Sequence, residues 1–131
     1  MTNQPITDFS GLPYIVAVDF DGTLVHDAFP QIGSERPKMC GFIRKLHRVG
    51  IKLILWTSRT GEYLDEALQW CGEHKLYFDK VNENLDEVQA LVGEDTRKVY
   101  ANVYIDDRNC SADVQNYYYT VGNLTEWLEN K

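Results

Sequence analysis

Three apolar runs in this chain end at polar residues, and this arrangement constrains the fold more than any other feature. The runs cover residues 14–20, 51–56 and 101–105. Short apolar runs of this kind predict buried strands. Segments with apolar residues at helical spacing separate these runs. Strands that alternate with helices indicate an α/β fold with a mainly parallel sheet.

The segments between these runs complete the predicted pattern of elements. Met39, Phe42, Ile43 and Leu46 lie at helical spacing behind Pro37, and Gly50 follows as a stop signal. The remaining elements are predicted as a loop over 25–36, helices over 62–74, 84–92 and 124–130, and strands over 76–81 and 117–121. Capping boxes are predicted at Asn84 with Glu87 and at Asn123 with Glu126, and Gly93 is the predicted stop of the 84–92 helix.

Composition narrows the class of protein. The chain has 131 residues, of which 44% are hydrophobic, and this suits one globular domain, 1–131, with about the first 12 residues as an N-terminal extension. Signal-like and membrane-spanning apolar runs are absent from the sequence, so we predict a cytoplasmic protein without a membrane partner.

The net charge of −7 argues against a broad nucleic-acid surface. Cys40, Cys71 and Cys110 are too widely spaced for a metal-type pair or a disulfide framework.

The polar residues that follow the three strands are chemically related. Asp19 and Asp21 come at the end of the first strand, Thr57 follows the second, and Asp106 and Asp107 follow the last. Ligands of open parallel sheets bind outside the carboxyl ends of the strands, so these side chains are expected to meet in one crevice. Carboxylates brought together repel one another, and a hard divalent cation such as Mg²⁺ relieves the repulsion.

These residues resemble the motifs of the haloacid dehalogenase superfamily of phosphohydrolases. Residues 19–24 read Asp-Phe-Asp-Gly-Thr-Leu and are similar to its first motif; Thr57 resembles the second, and Asp106 with Asp107 resembles the fourth. The resemblance implies a three-layer, doubly wound α/β core of the Rossmann-like type. Only a short flap over 25–37 follows the first motif, so a small member without a separate cap domain is implied.

The resemblance also implies a mechanism. It makes the chain a Mg²⁺-dependent phosphatase that hydrolyses a phosphate monoester through an aspartyl-phosphate. Asp19 is then the nucleophile and Asp21 the general acid and base. The metal is held by Asp19, by the backbone carbonyl of Asp21, and by Asp106 or Asp107.

Four residues are implied as phosphate ligands: Thr57, Ser58, Arg59 and Lys98. Lys98 is chosen as the third-motif lysine because it lies shortly before the last strand, and Lys80 is the alternative. The Thr-x-Arg sequence is similar to the Ser-x-Arg of polynucleotide 3′-phosphatases in the same superfamily. For Arg59, phosphate contact and a structural pair with a nearby acid are both open.

The substrate and rival functions remain open at the level of sequence. A small organic phosphate is favoured, and a 3′-phosphorylated polynucleotide is the alternative. A phosphoryl-accepting signalling module or a non-catalytic phosphate-binding protein is the rival of another class. Without a cap, either a large substrate or a neighbouring subunit must cover the crevice, so a homo-oligomer is a further hypothesis.

Overall fold

Residues 9–109 are the part of the chain that the computed structural model describes. In chain order its elements are β1 (Ile15–Val18), β2 (Val25–Ala28), β3 (Gln31–Glu35), α1 (Pro37–Arg48), β4 (Lys52–Leu55), α2 (Gly61–Glu73), β5 (Lys80–Val81), α3 (Asp86–Val92) and β6 (Val103–Ile105). The predicted alternation of strands and helices is confirmed for these residues.

Four strands form one parallel sheet, and its register determines what lies at its carboxyl edge. The strand order is β5-β4-β1-β6, with β1 pairing in parallel with both β4 and β6. Val18 is the register partner of Leu55 on one side and of Ile105 on the other. The residues after these three strands therefore leave the sheet at the same level. This confirms the predicted mainly parallel sheet.

The sheet is buried by hydrophobic clusters that contain alternate residues of its strands. Val16, Val18, Leu53 and Leu55 belong to one cluster, with buried residues of α1 and α2. Ile15, Ala17 and Ile54 belong to a second cluster, which is completed by Leu85, Val88, Val99 and Ala101. Successive side chains of a strand point to opposite faces, so each set of strand residues shares one face.

The segment predicted as a loop over 25–36 is instead an antiparallel hairpin. β2 and β3 pair through Asp27 with Ile32 and Ala28 with Gln31. Most of its side chains are exposed, so the segment lacks the apolar alternation that marks a strand. Pro30 lies in the turn, and the His26 carbonyl packs so closely on Gly33 that a Cβ would not fit. Pro30 and Gly33, which are typical of loops, lie within the hairpin.

Other boundaries shift as well. The strand predicted over 76–81 is reduced to β5, and the one predicted over 101–105 begins at Val103. The capping box at Asn84 is wrong: α3 begins after Leu85, and the buried Asn84 amide donates to Asp95 Oδ1 at 2.7 Å. Gly93 ends α3 in a left-handed conformation with φ 96°, as predicted.

Several predictions fall on residues 1–8 and 110–131, outside the described range. They are most of the N-terminal extension, the strand over 117–121, the helix over 124–130 with its capping box, and Cys110. Within residues 9–109, Cys40 and Cys71 are buried and make no disulfide. No helix in the same range is long and apolar enough to cross a bilayer.

Candidate functional site

Three carboxylates meet at the carboxyl edge of the sheet. Asp19 follows β1, and Asp106 and Asp107 follow β6; each offers an oxygen, and these oxygens lie within 4.8 Å of one another. The backbone N–H of Asp19 donates to the Ile105 carbonyl at 2.9 Å, which joins the two strand ends. The expectation that these acids converge is confirmed. An all-oxygen cluster of this kind is the donor set that Mg²⁺ and Ca²⁺ prefer.

Burial and mutual repulsion raise the pKa of two carboxylates in the cluster. Burial, together with the neighbouring charges of Asp106 and Asp107, raises the pKa of Asp19 to about 7. Desolvation, together with hydrogen bonding and repulsion from Asp106, also raises the pKa of Asp107. A cation placed among the three would remove the repulsion, so the cluster fits a metal site on chemical grounds.

Thr23 links two members of the carboxylate cluster. Its hydroxyl donates to Asp19 Oδ2 at 3.3 Å and accepts from the backbone N–H of Asp107 at 3.2 Å. The side chain is only 3% exposed, so the rotation of the Asp19 carboxylate is fixed from within the protein. Sequence reasoning gave Thr23 no role, although the residue is part of the motif that carried the family resemblance.

Gly22 lets the loop after β1 approach the carboxylates. Its φ is +83°, and a Cβ at this position would overlap the carboxylate of Asp107. The Gly22 carbonyl accepts from Arg36 Nη1 at 2.7 Å, and its N–H donates to the Val25 carbonyl at 2.8 Å. Arg36, which lies just before α1, was not singled out from the sequence because nothing local marks it as a loop anchor.

Asp21 points away from the cluster and pairs with Arg59. Arg59 Nε donates to Asp21 Oδ2 at 2.7 Å and Nη2 donates to Oδ1 at 2.8 Å. This is a bidentate, charge-assisted ion pair between residues 38 positions apart in the chain. Asp19 and Asp21, two residues apart in sequence, thus have different electrostatic surroundings.

The remaining donors of Arg59 are also used. Nη1 donates to the carbonyls of Pro30 and Tyr63 at 3.3 and 3.2 Å, and Nη2 donates to the Gln31 carbonyl at 3.1 Å. With the two bonds to Asp21, all five guanidinium N–H groups are satisfied, and Arg59 is 2% exposed. The structure therefore favours the structural pair over the phosphate contact that was also expected for Arg59.

A cavity of about 430 Å³ opens beside these residues. Thr57 and Ser58, both predicted as phosphate ligands, line it. Thr57 is held by its backbone N–H, which donates to Asn82 Oδ1 at 2.8 Å, and its Oγ1 accepts from the Arg59 N–H at 3.1 Å. The hydroxyl proton of Thr57 is then the group that can be donated to a ligand. The full lining is Asp19, Asp21, Asp27, Phe29, Thr57, Ser58, Arg59, Asp106 and Arg108.

Neither lysine considered for the third motif lines this cavity. Lys98 Nζ lies 5.1 Å from the ring centroid of Tyr104, in a second cavity of about 440 Å³ that shares Asp106. Lys80 Nζ lies 2.9 Å from a carboxylate oxygen of Asp86. Among the described residues, the cavity beside Asp19 is lined by two cationic side chains, Arg59 and Arg108. Arg108 was not predicted as a site residue, because the functional role was assigned to the two acids that precede it.

No protein-family model and no curated protein matches this chain. A solved structure does match: a conserved protein of Bacteroides thetaiotaomicron, 36% identical, superposes with a TM-score of 0.73 over 86% of this chain and 92% of that one. The chain belongs to the family of this Bacteroides protein. The match establishes the family and supports the α/β fold of this family member.

We expect Gly22→Ala to disrupt the carboxylate cluster of this family member. Alanine is strained at φ +83° and its Cβ would displace Asp107. The affinity for any divalent cation that the cluster binds, tested with Mg²⁺, should fall at least about tenfold, in addition to the roughly 1 kcal/mol stability cost of a left-handed alanine. Gly50→Ala is a matched control, because Gly50 has φ +92° with open space around it. Calorimetric titration with Mg²⁺ and urea denaturation separate the two effects. Equal affinities in the two variants would contradict the placement of Asp107 in a metal site.

Proposed function

We propose that this protein is a Mg²⁺-dependent phosphatase of the haloacid dehalogenase type, which hydrolyses a phosphate monoester through an aspartyl-phosphate. The observation that carries the proposal is the separation of Asp19 from Asp21. Asp19 lies in a carboxylate cluster with Asp106 and Asp107, whereas Asp21 is held in an ion pair with Arg59. Two acids with different surroundings suit two different catalytic roles.

The proposal includes a three-layer, doubly wound core without a cap domain. Hydrophobic clusters built from alternate residues of the sheet strands support the layers. Between Asp21 and α1, the described chain adds only the β2–β3 hairpin, and between Thr57 and Lys98 it adds only α2, β5 and α3. The crevice is then open to solvent, so a small organic phosphate, the favoured substrate, requires a neighbouring subunit to cover the site during the reaction.

The metal would be held by Asp19, by Asp106 or Asp107, and by the backbone carbonyl of Asp21. The Asp21 side chain is paired with Arg59 through both of its oxygens and is not one of the carboxylates that come together in the cluster. When bound, Mg²⁺ supplies positive charge that offsets the repulsion between the carboxylates and a phosphate dianion.

The first half-reaction uses Asp19 as the nucleophile. A carboxylate oxygen of Asp19 forms a bond to phosphorus, the ester P–O bond breaks, and the leaving oxygen takes the electron pair and a proton from Asp21. Thr23 fixes the carboxylate rotation through its bond to Oδ2. The hydroxyls of Thr57 and Ser58 and the guanidinium of Arg108 are assigned to the phosphoryl oxygens because all three side chains line the cavity. We assign this cationic role to Arg108 in place of Lys98.

The second half-reaction restores both acids. Water attacks phosphorus, the bond to the Asp19 oxygen breaks with its electron pair, and the water proton passes to Asp21. Asp21 takes up this proton, and the two N–H bonds from Arg59 hold its carboxyl group in position while it does so. In the first half-reaction Asp21 carries the proton on a lone pair that Arg59 does not use, since each carboxyl oxygen has two.

Turnover of p-nitrophenyl phosphate tests the proposal. We expect hydrolysis with Mg²⁺, loss of activity in EDTA, and a mass increase of one phosphoryl group on Asp19 in acid-quenched enzyme. Stable phosphorylation by acetyl phosphate without turnover would instead favour the signalling module, and the absence of both would favour a non-catalytic binding protein. Preference for a 3′-phosphorylated oligonucleotide over small esters would favour the polynucleotide substrate.

A further inference from the structure

One exposed aromatic side chain lines the cavity, and a second exposed ring packs against it. Phe29, in the turn of the β2–β3 hairpin, is 54% exposed, and Tyr63 of α2 is 46% exposed. Their ring centroids lie 5.5 Å apart in an edge-on arrangement. Phe29 also lines the cavity that contains Asp19 and Asp21. An apolar ring exposed at the edge of a polar crevice is a candidate ligand contact.

Phe29 is held in place although it is exposed. The Arg59 guanidinium lies 5.1 Å from its ring centroid, within cation–π distance. Its backbone N–H donates to Asp27 Oδ1 at 3.2 Å. Arg59 also binds the carbonyls of the next two residues, Pro30 and Gln31. The ring is therefore preorganised by a buried cation, which lowers the ordering cost of binding a ligand against it.

The same cation fixes Phe29 relative to Asp21. Arg59 donates to the Asp21 carboxylate from two of its nitrogens, and its Cζ lies over the Phe29 ring. In the proposed mechanism Asp21 protonates the leaving oxygen, so the leaving group must lie on the Asp21 side of the phosphorus. Phe29 contacts the same guanidinium as Asp21, so we infer that its ring lies on the side from which the leaving group would emerge.

Charge narrows the class of leaving group. Asp27 lines the cavity next to Phe29 and is exposed, with its Oδ1 accepting the Phe29 N–H. A carboxylate at the mouth repels a leaving group that carries further phosphates. It accepts a neutral ring, which can stack on or meet the edge of Phe29.

We propose that Phe29 is a specificity-determining residue, and that the substrate is a phosphate monoester with a neutral aromatic leaving group. This inference rests on the proposed phosphatase function. In this inference Phe29 contacts the ring of the leaving group, and the cavity residues around Asp19 hold the phosphate.

A comparison of benzyl phosphate with n-butyl phosphate tests the inference, because both release alkoxides of similar basicity and differ chiefly in the ring. We expect wild-type kcat/KM to favour the benzyl ester by about tenfold, in line with a preorganised aromatic contact. Phe29→Ala should reduce this preference to within about twofold, mainly by raising KM for benzyl phosphate. Phe29→Tyr should retain it. Tyr77→Ala is the control, because Tyr77 is 53% exposed and does not line the cavity.

The outcomes are distinct. Equal use of the two esters by the wild type, or an unchanged preference in Phe29→Ala, overturns the inference while leaving the phosphatase assignment intact. Equal losses of kcat on both esters in Phe29→Ala indicate a purely structural role and also overturn it. If the alanine variant does not fold, Phe29→Leu keeps apolar bulk without a planar ring and should lose the preference. No turnover of either ester, or of p-nitrophenyl phosphate, by the wild type removes the phosphatase assignment and this inference together.

Discussion

Asp19→Asn is expected to lower kcat for phosphate ester hydrolysis by at least roughly a thousandfold while making the metal-free protein more stable. The loss follows because an amide oxygen is a poor nucleophile and no aspartyl-phosphate forms. The gain follows because the substitution removes a charge from a cluster in which Asp106 and Asp107 lie close by. A residue that lowers stability but supports chemistry is expected at a catalytic centre.

The sign of the stability effect depends on pH. The pKa of Asp19 is raised from its ordinary value of 3.8 to about 7, mainly by burial. Its ionisation therefore opposes folding: the contribution is favourable below about pH 4 and is lost as pH rises through about 7. Allowing for solvent screening, the loss amounts to about 2 kcal/mol. In EDTA, Asp19→Asn should match the wild type near pH 4 and exceed its melting temperature by roughly 5–10 °C near pH 8.

Urea and thermal denaturation across this pH range, with and without Mg²⁺, measure the effect. Added Mg²⁺ should close the gap at pH 8, because the cation stabilises the wild-type cluster. Asp65→Asn is the control, since Asp65 is exposed on α2 and should show neither change. Full activity in Asp19→Asn would refute the nucleophile assignment, and a stability difference independent of pH would refute the electrostatic account.

The convergence of Asp19, Thr57 and Asp106 could be predicted because it depends on few variables. Each residue follows a buried apolar run, and parallel strands end at one edge of the sheet. The register of β1 with β4 and β6 then brings the three strand ends to one level. A motif at a strand end is therefore located by topology alone, without knowledge of any side-chain contact.

The role of Arg59 could not be settled in the same way. Its guanidinium suits a phosphate and a carboxylate equally well, and the choice depends on which acceptors are near. Those acceptors include the hairpin carbonyls of Pro30 and Gln31, 29 and 28 residues earlier in the chain. The hairpin itself was predicted as a loop, so its carbonyls could not be placed.

The lysines were the least predictable part of the site. A lone lysine has no local signature, and its distance from the site depends on the path of the loops around it. Lys98 lies at the Tyr104 ring and Lys80 is paired with Asp86. Arg108 directly follows the acid pair beyond β6, and it lines the cavity.

The second large effect is expected from Arg59→Met, which should destabilise the protein by about 3–5 kcal/mol. Methionine retains part of the buried volume but leaves the Asp21 carboxylate, 18% exposed, without its two charge-assisted bonds. It also leaves the carbonyls of Pro30, Gln31 and Tyr63 without their shared donor. Because Asp21 and the hairpin are then no longer held together, kcat should fall about a hundredfold in addition.

A double-mutant cycle with Asp21→Asn isolates the ion pair. Removal of either partner alone leaves a desolvated charge, so each single variant is destabilised, whereas Asp21→Asn with Arg59→Met leaves none. The double variant should therefore be at least as stable as Arg59→Met in urea denaturation.

Arg44→Met is the matched control. Arg44 forms an ion pair with Glu35 at 3.4 Å, and both side chains are 31% exposed. This exposed pair should contribute no more than about 1 kcal/mol to stability. Strictly additive losses in the cycle would show that Arg59 stabilises the hairpin without stabilising Asp21, and the placement of the proposed acid and base would then need another cause.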